Sequence, residues 1–299
     1  MILIRRAVIA VIVAGSLLGT ACGDAEDATT DAADRAPTVV ATTSIWADVV
    51  RNVACDNLAD VVAIIPPGAD PHAFEPSLRD REVLDDAALV VANGLGLEES
   101  LTDLLATIDT PILEVTDHVA TVRGDDPHVW QDPTRVAGAA PAIGDALIAA
   151  GLPAADVHAC VEAYVAQLDE LDADVASILG TVPSDRRRLV TNHDALGYFA
   201  DRYGFEVLGT VIPANSALAE TNPADLEALA AVVAEAGVPA IFADEQRSSD
   251  DARALARRIG GVEVVTLTTD ALGEEGSPTA TYAGLMRANA TEIARALTS

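Results

Sequence analysis

From Val39 onward, apolar runs of strand length alternate with segments of helical period. Val39-Val40-Ala41-Thr42-Thr43 reads as a strand, and Ser44 then caps a helix reaching about residue 54. Residues 60–65 read as a second strand, stopped by Pro66-Pro67-Gly68, and residues 88–93 and 111–115 as a third and fourth. These runs are continuous rather than alternating, which predicts strands covered on both faces. Helical segments between them predict βαβ units and a mostly parallel sheet.

The alternation breaks at residues 154–179. Val157, Val161, Tyr164, Leu168, Leu171, Val175 and Ile178 recur at spacings of four and three, a single apolar stripe on one helix. Gly180 and Pro183 end it. At 1.5 Å per residue such a helix is about 40 Å long, suited to a rigid spine between two domains. Strands then resume at residues 188–191, 206–212, 240–243 and 262–267, with helices at about 223–236, 250–259 and 279–297. The expected fold is α/β: two (β/α)4 lobes with parallel sheets, joined by one long helix. The expected boundaries are 38–152, 153–181 and 182–299. No strong residue-by-residue repeat links the halves.

Ahead of the first strand the pattern changes character. Arg5-Arg6 precedes an apolar stretch, residues 7–18, too short to span a bilayer comfortably. Gly19-Thr20-Ala21-Cys22 follows. Residues 1–22 resemble a bacterial lipoprotein signal, in which Cys22 is lipidated and begins the mature chain. Gly19 stands where that pattern favours leucine, so a plain secretory signal is the alternative. Residues 23–37 are rich in Ala, Asp and Thr without apolar periodicity and read as a disordered acidic tether. An exported chain meets an oxidising compartment, and removing Cys22 leaves Cys55 and Cys160. They are either a disulfide or two separate buried thiols.

The formal net charge is -29, with 18 arginines and no lysine. That argues against a nucleic-acid partner, for which a basic footprint is expected. It is compatible with a cationic ligand.

Candidate chemistry lies in three short, acidic, turn-rich segments. Asp126-Pro127-His128-Val129-Trp130-Gln131-Asp132-Pro133 is bracketed by prolines and reads as a stiff, non-helical loop that aims His128. Asp70-Pro71-His72-Ala73-Phe74-Glu75-Pro76 is its near echo, and Thr191-Asn192-His193-Asp194 carries a third histidine. All three follow predicted strands, where open α/β sheets bind ligands. A carboxylate from the later strand ends, Asp244, Glu245 or Asp270, would complete a four-ligand cluster between the domains. Nitrogen and oxygen donors in that number suit zinc, with manganese as the alternative. His158 reads as solvated, and His118 has at most a secondary role in capture. A zinc hydrolase is the competing class. Glu75 or Glu245 could serve as its base, but no helical His-Glu-x-x-His pattern is present.

These segments, with Tyr282-Ala283-Gly284-Leu285-Met286-Arg287-Ala288-Asn289, resemble the cluster A-I solute-binding proteins of bacterial zinc and manganese ABC transporters. The resemblance covers about residues 39–297. It implies metal held between the lobes by His72, His128, His193 and Asp270, and no enzymatic activity. It also implies a lipid-anchored or soluble extracytoplasmic monomer that captures Zn2+, or alternatively Mn2+, for a membrane permease. A role as an adhesin or as partner of a metallochaperone is a third reading that could coexist with this one; the sequence identifies neither the permease nor a chaperone. Many zinc-specific members carry a long His-rich loop before the second ligand; here residues 116–125 are short and contain only His118.

Overall fold

The computed structural model describes residues 36–212 and 223–299. The segment read as a lipoprotein signal, Cys22 and nearly all of the stretch read as a tether lie outside the described residues.

In chain order the first half comprises β1 (Thr38–Thr43), α1 (Ser44–Val53), β2 (Asp60–Ile65), α2 (Leu78–Asp85), β3 (Leu89–Ala92), α3 (Thr102–Leu105), β4 (Ile112–Glu114) and α4 (Pro133–Ala149). Helix α5 (Ala154–Leu179) follows. The second half comprises β5 (Arg188–Thr191), α6 (Gly197–Tyr203), β6 (Glu206–Thr210), α7 (Pro223–Ala236), β7 (Ala240–Asp244), α8 (Asp250–Ile259), β8 (Glu263–Leu267) and α9 (Tyr282–Thr298). The strands form two parallel four-stranded sheets, ordered β2-β1-β3-β4 and β6-β5-β7-β8. The two halves thus share one topology without sharing a recognisable sequence repeat. In each, the chain reverses its direction of travel across the sheet after the second strand, so a crevice opens beyond the carboxyl ends of the central strands.

Local chemistry shifts some expected boundaries. Thr43, not Ser44, caps α1, its hydroxyl accepting from the Trp46 amide at 3.3 Å. Pro133, read as the end of a loop, is the first residue of α4. Asp132 caps that helix, and its carboxylate accepts from the Thr134 amide at 3.0 Å. Proline suits that position because its missing N–H would have no partner there anyway. The segment before it is not wholly non-helical, since Val129–Gln131 make one 3-10 turn. Strand β4 departs from the expectation of cover on both faces: it is a sheet edge, and Ile112 is 37% exposed.

Helix α5 buries Val157, Cys160, Val161, Tyr164, Leu168, Leu171, Val175 and Leu179 along one face. Leu179 takes the buried place that periodicity assigned to Ile178, which is only partly buried. This stripe packs on α1 and α4 in the first half and on α9 in the second. One apolar core therefore runs through both lobes along the spine. Cys55, just past α1, is disulfide-bonded to Cys160 on α5, with Cα atoms 5.5 Å apart across 105 residues of chain. Among the described residues, no helix is long and apolar enough to cross a membrane.

Candidate metal centre

The two Asp-Pro-His segments are one device used twice. Asp70 Oδ1 accepts from the His72 amide at 2.9 Å, and Asp126 Oδ1 accepts from the His128 amide at 3.0 Å. An aspartate two residues before the histidine thus closes a local turn that a following proline stiffens. At His128 the carboxylate does more: its Oδ1 also lies 2.8 Å from Nδ1 of the ring. With Nδ1–H donating there, Nε2 is left as a lone pair facing inward. Trp130 packs edge-on against the same ring, centroids 5.3 Å apart. Asn93, at the end of β3, donates to the Pro127 carbonyl at 3.0 Å and supports the loop from below.

In the second half, His193 leaves the end of β5 directly, and Asp270 lies three residues beyond β8. Close approach of the halves requires Gly197. A Cβ there would stand 2.6 Å from Asp126 Oδ2 and 2.7 Å from Arg123 Nε.

His72, His128, His193 and Asp270 converge, with one ligand atom from each lying within 4.8 Å of every other, and all four are buried. His72 Nε2 lies 3.4 Å from His128 Nε2 and 3.6 Å from Asp270 Oδ2. His193 Nε2 lies 2.9 Å from Asp270 Oδ2, and His128 Nε2 lies 3.8 Å from Asp270 Oδ1. A tetrahedral ion with bonds of about 2.0–2.2 Å has ligand-to-ligand edges of about 3.3–3.6 Å, so the cluster has the dimensions of such a site. Asp270 Oδ1 is buried without a hydrogen-bond partner, and Asp270 Oδ2 and His193 Nε2 are buried facing only each other at 2.9 Å. Unpaired buried acceptors are unfavourable, and a cation would satisfy them. The donor set fits a divalent metal.

Electrostatics separate the ligands. Burial pulls the His72 imidazole down to about 3, so it is neutral and ready to ligate. Burial also opposes charge on His193, but Asp270 and Asp244 outweigh it and raise that imidazole above its usual value. Burial alone would raise Asp270; the imidazoles, His193 foremost, instead hold it below the ordinary carboxylate range. Burial, and then the charge of Asp270, pushes Asp244 up to about 7.

Of the three carboxylates open to the fourth position, Asp270 faces the three rings. Asp244 is buried behind His193, its Oδ2 3.7 Å from Nδ1, while Asn192 Oδ1 lies nearer that nitrogen at 3.4 Å. Glu245 is exposed and accepts from the Thr268 hydroxyl at 2.8 Å. Glu75, His118 and His158 are exposed on the surface. Sequence reading missed Asp126 and Asp244 as outer carboxylates. It also missed Arg247, whose Nε lies 3.3 Å from Asp70 Oδ2 across the cleft. The repeated aspartate two places before a histidine was the available signal for the first; Asp244 was marked only as a strand-end carboxylate, and nothing local marked Arg247.

Two parallel-sheet lobes closing three imidazoles and a carboxylate between them define a class: a solute-binding receptor whose solute is a metal ion. The chain belongs to the ZnuA family, described as zinc-uptake complex component A, periplasmic, whose sequence model matches residues 39–296. The family consists of substrate-binding proteins of metal ABC transporters, not enzymes. The zinc-binding protein TroA of Treponema pallidum is 33% identical over 286 residues, covering 89% of this chain and 90% of TroA. The manganese-binding lipoprotein MntA of Halalkalibacterium halodurans is 32% identical over 286 residues, covering 93% and 94%. Among solved structures, TroA superposes with a TM-score of 0.80 at 32% identity over 87% of this chain and 99% of TroA. A manganese-bound periplasmic protein of Candidatus Liberibacter asiaticus gives 0.77 at 25% identity over the same shares.

Proposed function

We propose that this metal-binding receptor takes Zn2+ as its physiological cargo, holds it through His72, His128, His193 and Asp270, and delivers it to an ABC-transporter permease. The observation that carries the reading is the third ligand position. It is filled by His193, so the donors are three imidazole nitrogens and one carboxylate. That set suits zinc in a tetrahedron, whereas manganese prefers more oxygens and a higher coordination number. The likeness to zinc-binding TroA points the same way. Lipidation at Cys22 would keep the receptor beside its permease and raise its effective concentration there. On this reading residues 38–152 and 182–299 act as the two lobes about the 153–181 linker.

One observation favours Mn2+ instead. Both Asp270 oxygens face imidazoles, Oδ2 at 2.9 and 3.6 Å and Oδ1 at 3.8 Å, so bidentate ligation could enlarge the coordination shell. The likeness to manganese-binding MntA is nearly as strong as that to TroA.

Metal analysis of purified protein, then direct competition of Zn2+ against Mn2+, separates the two. The zinc reading expects tighter zinc binding, and His193→Glu should weaken zinc more than manganese. Because zinc outranks manganese at most nitrogen sites, cellular uptake of each ion by a strain carrying the wild-type or His193→Glu receptor completes the test. Preference of the wild type for manganese in both assays would overturn the zinc reading and leave the metal-receptor class intact.

A further inference from the structure

Two of the four ligands come from the second half of the chain, which suggests a site split two and two. The hydrogen bonds around those ligands divide differently. Around His193 the backbone is bonded within its own lobe. The Asn192 amide donates to Phe242 O at 2.9 Å, and Asn192 O accepts from the Ile212 amide at 2.8 Å. His193 O accepts from the Thr191 hydroxyl at 2.7 Å and from the Ala195 amide at 3.0 Å.

Around Asp270 the main-chain bonds cross to the first lobe on both sides. On the N-terminal side, Thr269 O accepts from Trp130 Nε1 at 2.9 Å and Gln131 Nε2 at 3.1 Å. On the C-terminal side, the Leu272 amide donates to Ser44 Oγ at 3.0 Å, while Leu272 O accepts from the Gly68 amide at 2.9 Å. On the way out of β8 the last tie of the main chain to the second lobe is at Thr268. Its amide donates to Asn289 Oδ1 at 3.1 Å and its carbonyl accepts from Asn289 Nδ2 at 2.7 Å. The change of allegiance falls between Thr268 and Thr269.

We propose that Asp270 belongs mechanically to the first lobe. Ser44, Trp130 and Gln131 are its positioning residues, and His72, His128 and Asp270 form a preassembled three-ligand half-site to which lobe closure adds His193 alone. The inference rests on the metal-receptor reading and extends it to the order of events. An arriving ion meets two nitrogens and an oxygen already in place. Withdrawing His193 opens one coordination position while the other three ligands still hold the ion, so release begins with a three-coordinate metal on the first lobe. Other bonds across the cleft do not bear on the His193 backbone: the Tyr198 hydroxyl donates to Asp126 O at 3.0 Å and accepts from the Arg123 amide at 2.8 Å.

Hydrogen exchange of the full chain, with and without a zinc chelator, tests the placement. The Gly68 and Leu272 amides should keep their protection when metal is removed, because their partners travel together. Faster exchange at both on chelation, by about tenfold or more, would show Asp270 leaving with the second lobe and overturn the proposal. Zn2+ binding by Ser44→Ala and Gln131→Leu tests the positioning role. Each should bind about 10–100-fold more weakly, the range for outer-shell partners, with the loss in a faster off-rate and with the metal-free variant still folded by circular dichroism. Affinity within twofold of wild type in a folded variant overturns the role. Failure of the wild type to bind zinc or manganese would sink the receptor reading instead, so the two failures are distinguishable.

Discussion

In the first lobe, His72 and His128 are each held by an aspartate two residues upstream, at 2.9 and 3.0 Å from the histidine amide. In the second, His193 sits on the end of β5 with buried Asp244 3.7 Å behind it, and Asp270 hangs on bonds from the opposite lobe. The first-lobe ligands are prepared by short-range chemistry and need little from the rest of the fold. The second-lobe ligands are prepared by neighbours distant in sequence, and their charges are strongly mutual. Burial leaves His72 neutral, whereas His193 is raised by Asp270 and Asp244 against the pull of burial. His72 therefore offers a free lone pair, whereas the carboxylates around His193 favour its protonated form, against which the metal competes.

The largest effect should come from the carboxylates. Asp270→Ala should weaken zinc by more than the about 10–100-fold that loss of an outer partner causes. Asp244→Ala should fall within that range, and Glu245→Ala should bind as wild type. Titration calorimetry of the three variants orders them. If Asp244→Ala lost more affinity than Asp270→Ala, the fourth ligand would be misassigned and the division between inner and outer carboxylates would break.

A smaller effect is the pH dependence, and its sign follows from the directions of the shifts. His193 is raised above its ordinary value and Asp244 to about 7, so the second lobe takes up protons as pH falls through about 7, whereas His72, near 3, stays neutral. Metal affinity should therefore fall as pH drops below 7, with protons released from the second lobe and none from His72. Calorimetry in buffers of different ionisation enthalpy counts them. The count should decrease in Asp244→Asn. Binding at pH 6.5 that released no proton would contradict the proposed contrast between lobes.

The smallest effect on the site should come from the Cys55–Cys160 bridge, which lies in the first lobe's attachment to α5. Replacing both cysteines by serine should lower stability by about 2–4 kcal/mol, chiefly through the unfolded chain, and leave zinc affinity unchanged. Thermal unfolding and zinc titration read the two separately. A large change in affinity would mean that the bridge shapes the site.

Much of this protein was legible in its sequence because the signals are local. Continuous apolar runs marked the strands, and an apolar residue every three or four positions marked α5. The Asp-Pro-His pair marked a turn whose geometry depends on three adjacent residues. Boundaries failed where caps decide them, as at Thr43 and at Asp132-Pro133, since a side chain that can cap does so only if the amides ahead of it are free.

What the tertiary structure alone decided is the choice among carboxylates and the division of the site. Asp244, Glu245 and Asp270 all lie at strand ends and are chemically alike in sequence. Only the packing of β5, β7 and β8 turns one toward the imidazoles, buries one behind His193 and leaves one in solvent. The bonds from Ser44 to Leu272 and from Trp130 to Thr269 join residues 228 and 139 positions apart. No periodicity or turn signal reaches that far, because such a pairing exists only once the two halves have been packed together along a common helix.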